Sequence, residues 1–356
     1  MSRIVTFGEI MGRLATPGFK RFQQAMPGTL EITFAGAEAT VAASIAYLGG
    51  DAAFVTALPD NAIADACMAN LRGLGVDTRH VLRTQEGRMG LYFLETGANQ
   101  RAGNVIYDRE GTSVAITPPE AYDWAAIFGG AEWFLISGIT PAISRNAAQV
   151  ALAAVREASQ RGIRVACDMN FRSKLWLWEP SCSPRELASR TMKGLMPFVD
   201  LFIGGHEDAS EMSGIQPSEG AADPLLDVAR QIVVQYPRIS RVAMNLREGI
   251  SATHNNLGGL LYDAGLDQTF FAPLRDGSYQ PYQITDIVDR LGGGDAFTAG
   301  LLFALTTPEL VEPSTAISFA TAASCLAHSI EGDFNYSTRA EIEALTGGGA
   351  PGRVRR

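Results

Sequence analysis

Short apolar runs bounded by glycine or polar residues alternate with longer stretches of helical period along most of the chain. Residues 4–9 (IVTFGE) are continuous and β-rich, the pattern of a strand covered on both faces. Residues 39–48 then read as an alanine-rich helix, 53–58 as a second strand and 61–71 as a second helix. From Trp133 the rhythm is regular. Strands are predicted at 133–137, 164–168, 201–204 and 242–246, with helical periods at 144–160, 184–196 and 225–236 between them. Strands separated by helices of this length predict a doubly wound, mostly parallel α/β sheet. Ligands of such sheets gather at the carboxyl ends of the strands. That singles out two strand ends, DMNFR at 168–172 and GGHED at 204–208.

Two segments depart from this rhythm. Residues 90–95 (GLYFLE) and 104–108 (NVIYD) alternate, and the polar loop 96–103 joins them, so an antiparallel hairpin is predicted. Neither is tied to a crossover helix. With the Pro/Gly-punctuated stretch 13–35 they are read as a small β-lid; membership of the main sheet is the alternative. The expected organisation is a core of residues 1–12, 36–84 and 113–346, a lid of 13–35 and 85–112 inserted in it, and a flexible tail at 347–356.

Composition narrows the function classes. At 356 residues and 46% hydrophobic content the chain suits one large α/β domain with an insertion. A net charge of −9 argues against a broad nucleic-acid surface, so an anionic ligand must meet a local basic cluster. The four cysteines (Cys67, Cys167, Cys182, Cys325) form no C-x-x-C pair, which fits reduced thiols and a cytoplasmic location. The four histidines show no metal-ligand spacing. The opening MSRIVTFGEI reads as a strand rather than a leader, and no apolar run reaches membrane-spanning length. Neither G-x-G-x-x-G nor G-x-x-x-x-G-K-[ST] occurs, which removes the two commonest nucleotide-binding loops.

Candidate chemistry concentrates in residues 289–305, DRLGGGDAFTAGLLFAL. Gly292, Gly293 and Gly294 leave backbone N–H groups uncovered just before a small-residue apolar helix. Such groups form an anion site, and a carboxylate beside it, Asp295, can take a proton from a hydroxyl attacking phosphorus. A glycine turn with Asp295 as a helix cap is the alternative.

Two motifs together resemble the PfkB (ribokinase-like) carbohydrate kinases along nearly the whole chain: AGAEATVAASIAYLG early, and DRLGGGDAF at 289–297. Within that family, VTFGEIM, RF, GAE, YDRE, DMNFRSKLW and IEGDFN are similar to the 2-keto-3-deoxygluconate kinases. The resemblance implies a parallel αβα core with a β-lid. It also implies transfer of the γ-phosphoryl of ATP, with Mg²⁺, to the terminal hydroxyl of 2-keto-3-deoxygluconate.

By the same resemblance Asp295 is the catalytic base and Gly292, Gly293 and Gly294 the anion hole. Gly36, Thr40, Tyr92, Tyr107, Arg109 and Arg172 fall to the sugar. The two arginines suit the acid's carboxylate through paired, charge-assisted hydrogen bonds. Asp208 falls to Mg²⁺ and phosphates, Asn335 to the adenine side and Asp289 to a monovalent cation. Arg247 is either a phosphate contact or a solvated arginine. Relatives pair subunits through the lid, so a homodimer is expected, with no nucleic-acid or membrane partner.

Thr40 stands where the family often has asparagine, and Gly205 where it has the amide of Asn-x-x-Glu; Gly293 replaces the usual alanine. These departures keep other readings open: a kinase of fructose, ribose or the galacto epimer acid, or a non-catalytic sugar or nucleotide binder. An oxidoreductase is more distant, because the dinucleotide fingerprint is missing.

Overall fold

The computed structural model describes residues 2–348. The tail expected to be flexible lies, from residue 349, outside the described residues. Eight strands follow one another across the main sheet, from Gln268–Ala272 through His254–Asp263, Arg241–Ser251, Leu201–Ile203, Arg164–Asp168, Ala131–Ser137 and Arg3–Phe7 to Asp51–Val55. The six from Arg241–Ser251 to Asp51–Val55 are parallel. His254–Asp263, Gln268–Ala272 and a ninth strand, Tyr282–Ile284, extend the sheet antiparallel.

Both faces of the parallel strands are apolar, with the two-residue period of a pleated ribbon. Val5, Phe7, Phe134, Ile136, Val165 and Cys167 face a core built with Arg145–Gln160, Pro184–Leu195 and Pro224–Gln235. Ile4, Trp133, Leu135 and Ala166 face a second core with Ala37–Tyr47, Gly293–Leu305 and Pro313–Ala327. This is the doubly wound α/β arrangement.

The antiparallel extension was not expected. Arg241–Ser251 runs five residues past the predicted end at Leu246 and turns straight back into His254–Asp263. No crossover helix intervenes there, so the neighbour must be antiparallel.

A separate four-stranded sheet has the order Glu31–Ala35, Met11–Ala15, Gly90–Glu95, Asn104–Asp108. Gly90–Glu95 and Asn104–Asp108 form the antiparallel hairpin, and Met11–Ala15 joins its far edge in parallel. The first lid strand thus starts at Met11, two residues before the predicted boundary. Registers place Thr33, Arg13, Tyr92 and Tyr107 side by side across the sheet. The adjacent row, Ile32, Leu14, Phe93 and Ile106, lies on the opposite face. Ile32 and Ile106 on that outer face are 69% and 50% exposed.

The helix Gly293–Leu305 is buried on all sides after its first turn and packs against Pro313–Ala327. Gly300 permits that approach: a Cβ there would stand 3.0 Å from Ala320 Cα and from Ala323 Cβ. Replacing it overfills the contact. Gly300→Val is expected to cost about 1–3 kcal/mol of stability, read as a lower urea midpoint at unchanged slope; a wild-type midpoint overturns this packing account.

Candidate active site

The turn before Gly293–Leu305 is shaped by what a side chain would hit. Gly292 is left-handed (φ 76°), and a Cβ on it would lie 2.2 Å from the carbonyl oxygen of Asp333. At Gly293 a Cβ would meet the His328 ring at 2.6 Å. At Gly294 it would meet nothing within 4 Å, because Gly294 borders open space. The first intrahelical bond runs from Ala296 N–H to Gly292 C=O, so the N–H groups of Gly293, Gly294 and Asp295 are free for an anion. Gly292, Gly294 and Asp295 line a cleft of about 1030 Å³ at the carboxyl ends of the parallel strands. Gly293 does not line it; it serves packing.

Acids crowd this cleft. Asp295, partly buried, has a carboxyl raised well above the usual range by burial and by the charges of Asp168, Asp333 and Glu38. Asp168, at the end of its strand, is pushed up to about 7 by burial and by Asp208. Thr298, one turn beyond Asp295, donates to Asp168 Oδ2 at 3.1 Å. Glu38 is buried in the first turn of Ala37–Tyr47, and burial raises its carboxyl too. Its Oε1 accepts from Ser137 N–H (3.0 Å), Ser137 Oγ (2.6 Å) and Thr140 Oγ1 (2.7 Å). The chain passes close by at Gly36, where a Cβ would lie 2.1 Å from Glu9 O.

The lid forms the opposite wall. Tyr92 donates its hydroxyl to Asp333 Oδ1 at 2.9 Å, and Tyr107 also lines the cleft. Arg109 stacks over the Tyr107 ring, 5.5 Å from its centroid, and donates Nε to Glu9 Oε2 at 2.6 Å. The guanidinium expected to meet a sugar carboxylate is therefore already held by one protein carboxylate. Arg172 is exposed at the cleft rim, beyond Asn170 in a left-handed turn (φ 36°). Arg247 also reaches the cleft; desolvation and the like charges of Arg290 and Arg172 lower its proton affinity. Arg172, Arg247 and Arg290 thus share one rim.

Other expected residues stand elsewhere. Thr40 is fully buried behind Gly36, and its hydroxyl has no hydrogen-bond partner among the described residues. Asn335 does not line the cleft: it is buried and its Oδ1 accepts from Ser337 N–H at 3.0 Å, holding the final loop. Asp208 is in the cleft wall, but its two oxygens accept from Phe171 N–H (3.0 Å) and Gly205 N–H (2.9 Å). Asp289 is not open to a cation. Its Oδ1 accepts from Leu291 N–H (3.1 Å) and its Oδ2 from Gly332 N–H (3.1 Å) and from the guanidinium of Arg13. No cluster of three or more metal-ligating side chains occurs among the described residues.

Glu9, Asp333 and His328 line the cleft and escaped sequence reasoning, as did Arg13, which pairs with Asp289 and Asp333. Glu9 and Asp333 sit inside the motifs GEIM and EGDFN, so the acids in those motifs were the available signal. Arg13 carried no signal of its own. Burial lowers the proton affinity of His328, and its Nδ1–H donates to Ser324 O at 2.7 Å.

A pH effect follows from Asp168. Its folded-state carboxyl titrates near 7, above the ordinary value of about 3.9. The folded state therefore holds the extra proton, and stability falls as pH rises between those values. Asp168→Asn, ligand-free, is expected to flatten that fall in thermal melts from about pH 4 to 7. A slope equal to wild type overturns the assignment.

The pfkB family carbohydrate kinase profile matches residues 1–237. A 2-dehydro-3-deoxygalactonokinase from Haloferax volcanii is 32% identical over 353 residues, covering 99% of this chain and 98% of its own. The crystal structure of 2-dehydro-3-deoxygluconokinase from Thermotoga maritima superposes with a TM-score of 0.88 at 36% identity, covering 98% of this chain and all of that one. A putative 2-keto-3-deoxygluconate kinase from Enterococcus faecalis gives 0.87 at 25% identity, over all of this chain and 99% of its own. These matches run through both the main sheet and the lid, and the fold they share is the ribokinase-like one. By that whole-length similarity the chain belongs to the pfkB family of carbohydrate kinases, phosphotransferases with a sugar hydroxyl as acceptor.

Proposed function

We propose that this kinase transfers the γ-phosphoryl of ATP to the terminal hydroxyl of 2-keto-3-deoxygluconate, giving the 6-phospho product. The observation that carries this reading is the juxtaposition of an open glycine turn, the Asp295 carboxyl and a free rim of guanidiniums in one cleft. Asp295 takes the hydroxyl proton, and its raised proton affinity suits a base working near neutral pH. The N–H groups at Gly294 and Asp295 hold the transferring phosphoryl, where fixed donors stabilise spreading charge best. Arg247 faces the nucleotide phosphates. Arg172 and Arg109, which line the same cleft, meet the substrate carboxylate. Gly36 lets the backbone approach the sugar, and Thr40 supports that turn from behind.

Glu207 and Asp208 present the hard oxygen donors that suit Mg²⁺ carried by nucleotide phosphates. The ion neutralises phosphate charge when bound. The residues of the chain do the orienting.

The galacto epimer is the second reading, favoured by the full-length similarity to the Haloferax volcanii enzyme. A coupled ADP-release assay over both keto-deoxy acids, fructose and ribose separates them; strong turnover of fructose with none on either acid overturns the proposal. Arg172→Ala is expected to impair the acids selectively, and an equal loss on neutral sugars makes it structural.

Asp295→Asn is expected to lower kcat by about 10²–10⁴ and to raise ligand-free melting temperature, since one of several crowded charges is removed. Near-normal turnover refutes the base. The apolar outer row of the lid supports a homodimer. Ile32→Glu with Ile106→Glu is expected to halve the mass measured by light scattering, and an unchanged mass removes the lid from the interface.

A further inference from the structure

Arg13 does not itself line the cleft: its side chain is 3% exposed, and both its partners are cleft-lining acids remote in sequence. It donates to Asp289 Oδ2 and, at 2.6 Å, to Asp333 Oδ1. Each acid is fixed on its other side. Asp289 accepts Leu291 N–H and Gly332 N–H. Asp333 accepts the Tyr92 hydroxyl, and its carbonyl presses on Gly292 so closely that no Cβ fits between. One guanidinium thus joins the lid strand Met11–Ala15, the segment leading into the glycine turn, and the final loop.

We propose that Arg13 is a positioning residue: its guanidinium is the resident counter-cation that holds the lid's sugar wall and the phosphoryl-holding turn at one fixed separation. This rests on the kinase reading above. Burial disfavours the charge on Arg13, but Asp333 and Asp289 together raise its proton affinity, so it remains a cation. The reverse also holds. Without it two buried carboxylates would face each other beside Asp295, and they would separate, take up protons or admit water. Arg13 and Tyr92 are register partners in the lid, and Asp333 Oδ1 receives both. Any shift of Asp333 is therefore passed to the tyrosine on one side and to Gly292 on the other. A displacement of that kind misplaces the hydroxyl relative to phosphorus without touching either substrate, and about 1 Å suffices to cost some 100-fold in rate.

The test compares Arg13→Met, which keeps much of the stem and removes the charge, with Arg13→Lys. Kinetics use whichever sugar the wild type phosphorylates. Arg13→Met is expected to lose about 100-fold in kcat while the KM for ATP stays at the wild-type value. Millimolar guanidinium chloride should restore part of the loss, and potassium chloride at equal ionic strength should not. Arg13→Lys, with its charge but not its fork, should fall between.

A second arm needs no sugar. In the ligand-free protein, proteolytic cleavage within residues 85–112 should accelerate in Arg13→Met. Wild-type kcat in Arg13→Met overturns the proposal, as does an equal response to the two salts or unchanged lid cleavage. If Arg13→Met does not fold, Arg13→Lys carries the same readouts, and wild-type behaviour there overturns the need for the fork. Should the wild type accept only neutral sugars, the acid-sugar reading falls while both arms still decide the role of Arg13.

Discussion

The cleft is organised by the cost of keeping carboxylates out of water. Glu9, Glu38, Asp168, Asp208, Asp289, Asp295 and Asp333 converge on one cavity or its immediate walls. An unpaired buried acid is strongly unfavourable and becomes protonated or acquires a partner. Most here have acquired one: Glu9 has Arg109, Asp289 and Asp333 share Arg13, Glu38 has two hydroxyls and an N–H, Asp208 has two N–H groups. Asp168 has the Thr298 hydroxyl, and Asp295 is left without a cationic contact. Asp295 is thus the acid the fold leaves least satisfied. The exposed guanidiniums of Arg172 and Arg247 line the same cleft.

Much of this was legible in the chain. The strand and helix rhythm placed the parallel sheet, because a ribbon covered on both faces must be apolar without interruption, and few other patterns look like that. The turn at Gly292–Gly294 was legible as three successive glycines before an apolar helix, and at Gly292 the left-handed backbone and the Asp333 carbonyl leave room for no Cβ. What escaped had a different character. Arg13 is one arginine in an alternating strand, and nothing local distinguishes it from a solvated one; its meaning comes from Asp289 and Asp333. The loop contact of Asn335 was not foreseen for the same reason: an amide near a site and an amide capping a loop read alike. The antiparallel edge after Leu246 was missed because its strands lie next to each other with no helix between, against the rhythm of the preceding chain.

The lid shows how one strand serves two surfaces. Alternation sends Arg13, Tyr92 and Tyr107 toward the cleft and Leu14, Phe93 and Ile106 away from it. A shift of one residue in register would exchange the two rows. The polar contacts of Arg13 and Tyr92 with Asp333 oppose that slip, so the same bonds that build the site keep the outer apolar row outward.

The Arg13 contacts also bear on how the protein is made. They join positions 276 and 320 residues apart. A chain emerging from the ribosome can build strands and the first helices as it appears, but it cannot complete this triad until its final loop is free. Closing so long a loop costs more entropy than closing a short one, though the cost grows only logarithmically. Contacts of this separation come late in folding. The Arg13 bridges are consequently absent from any nascent chain that has not yet reached Asp333.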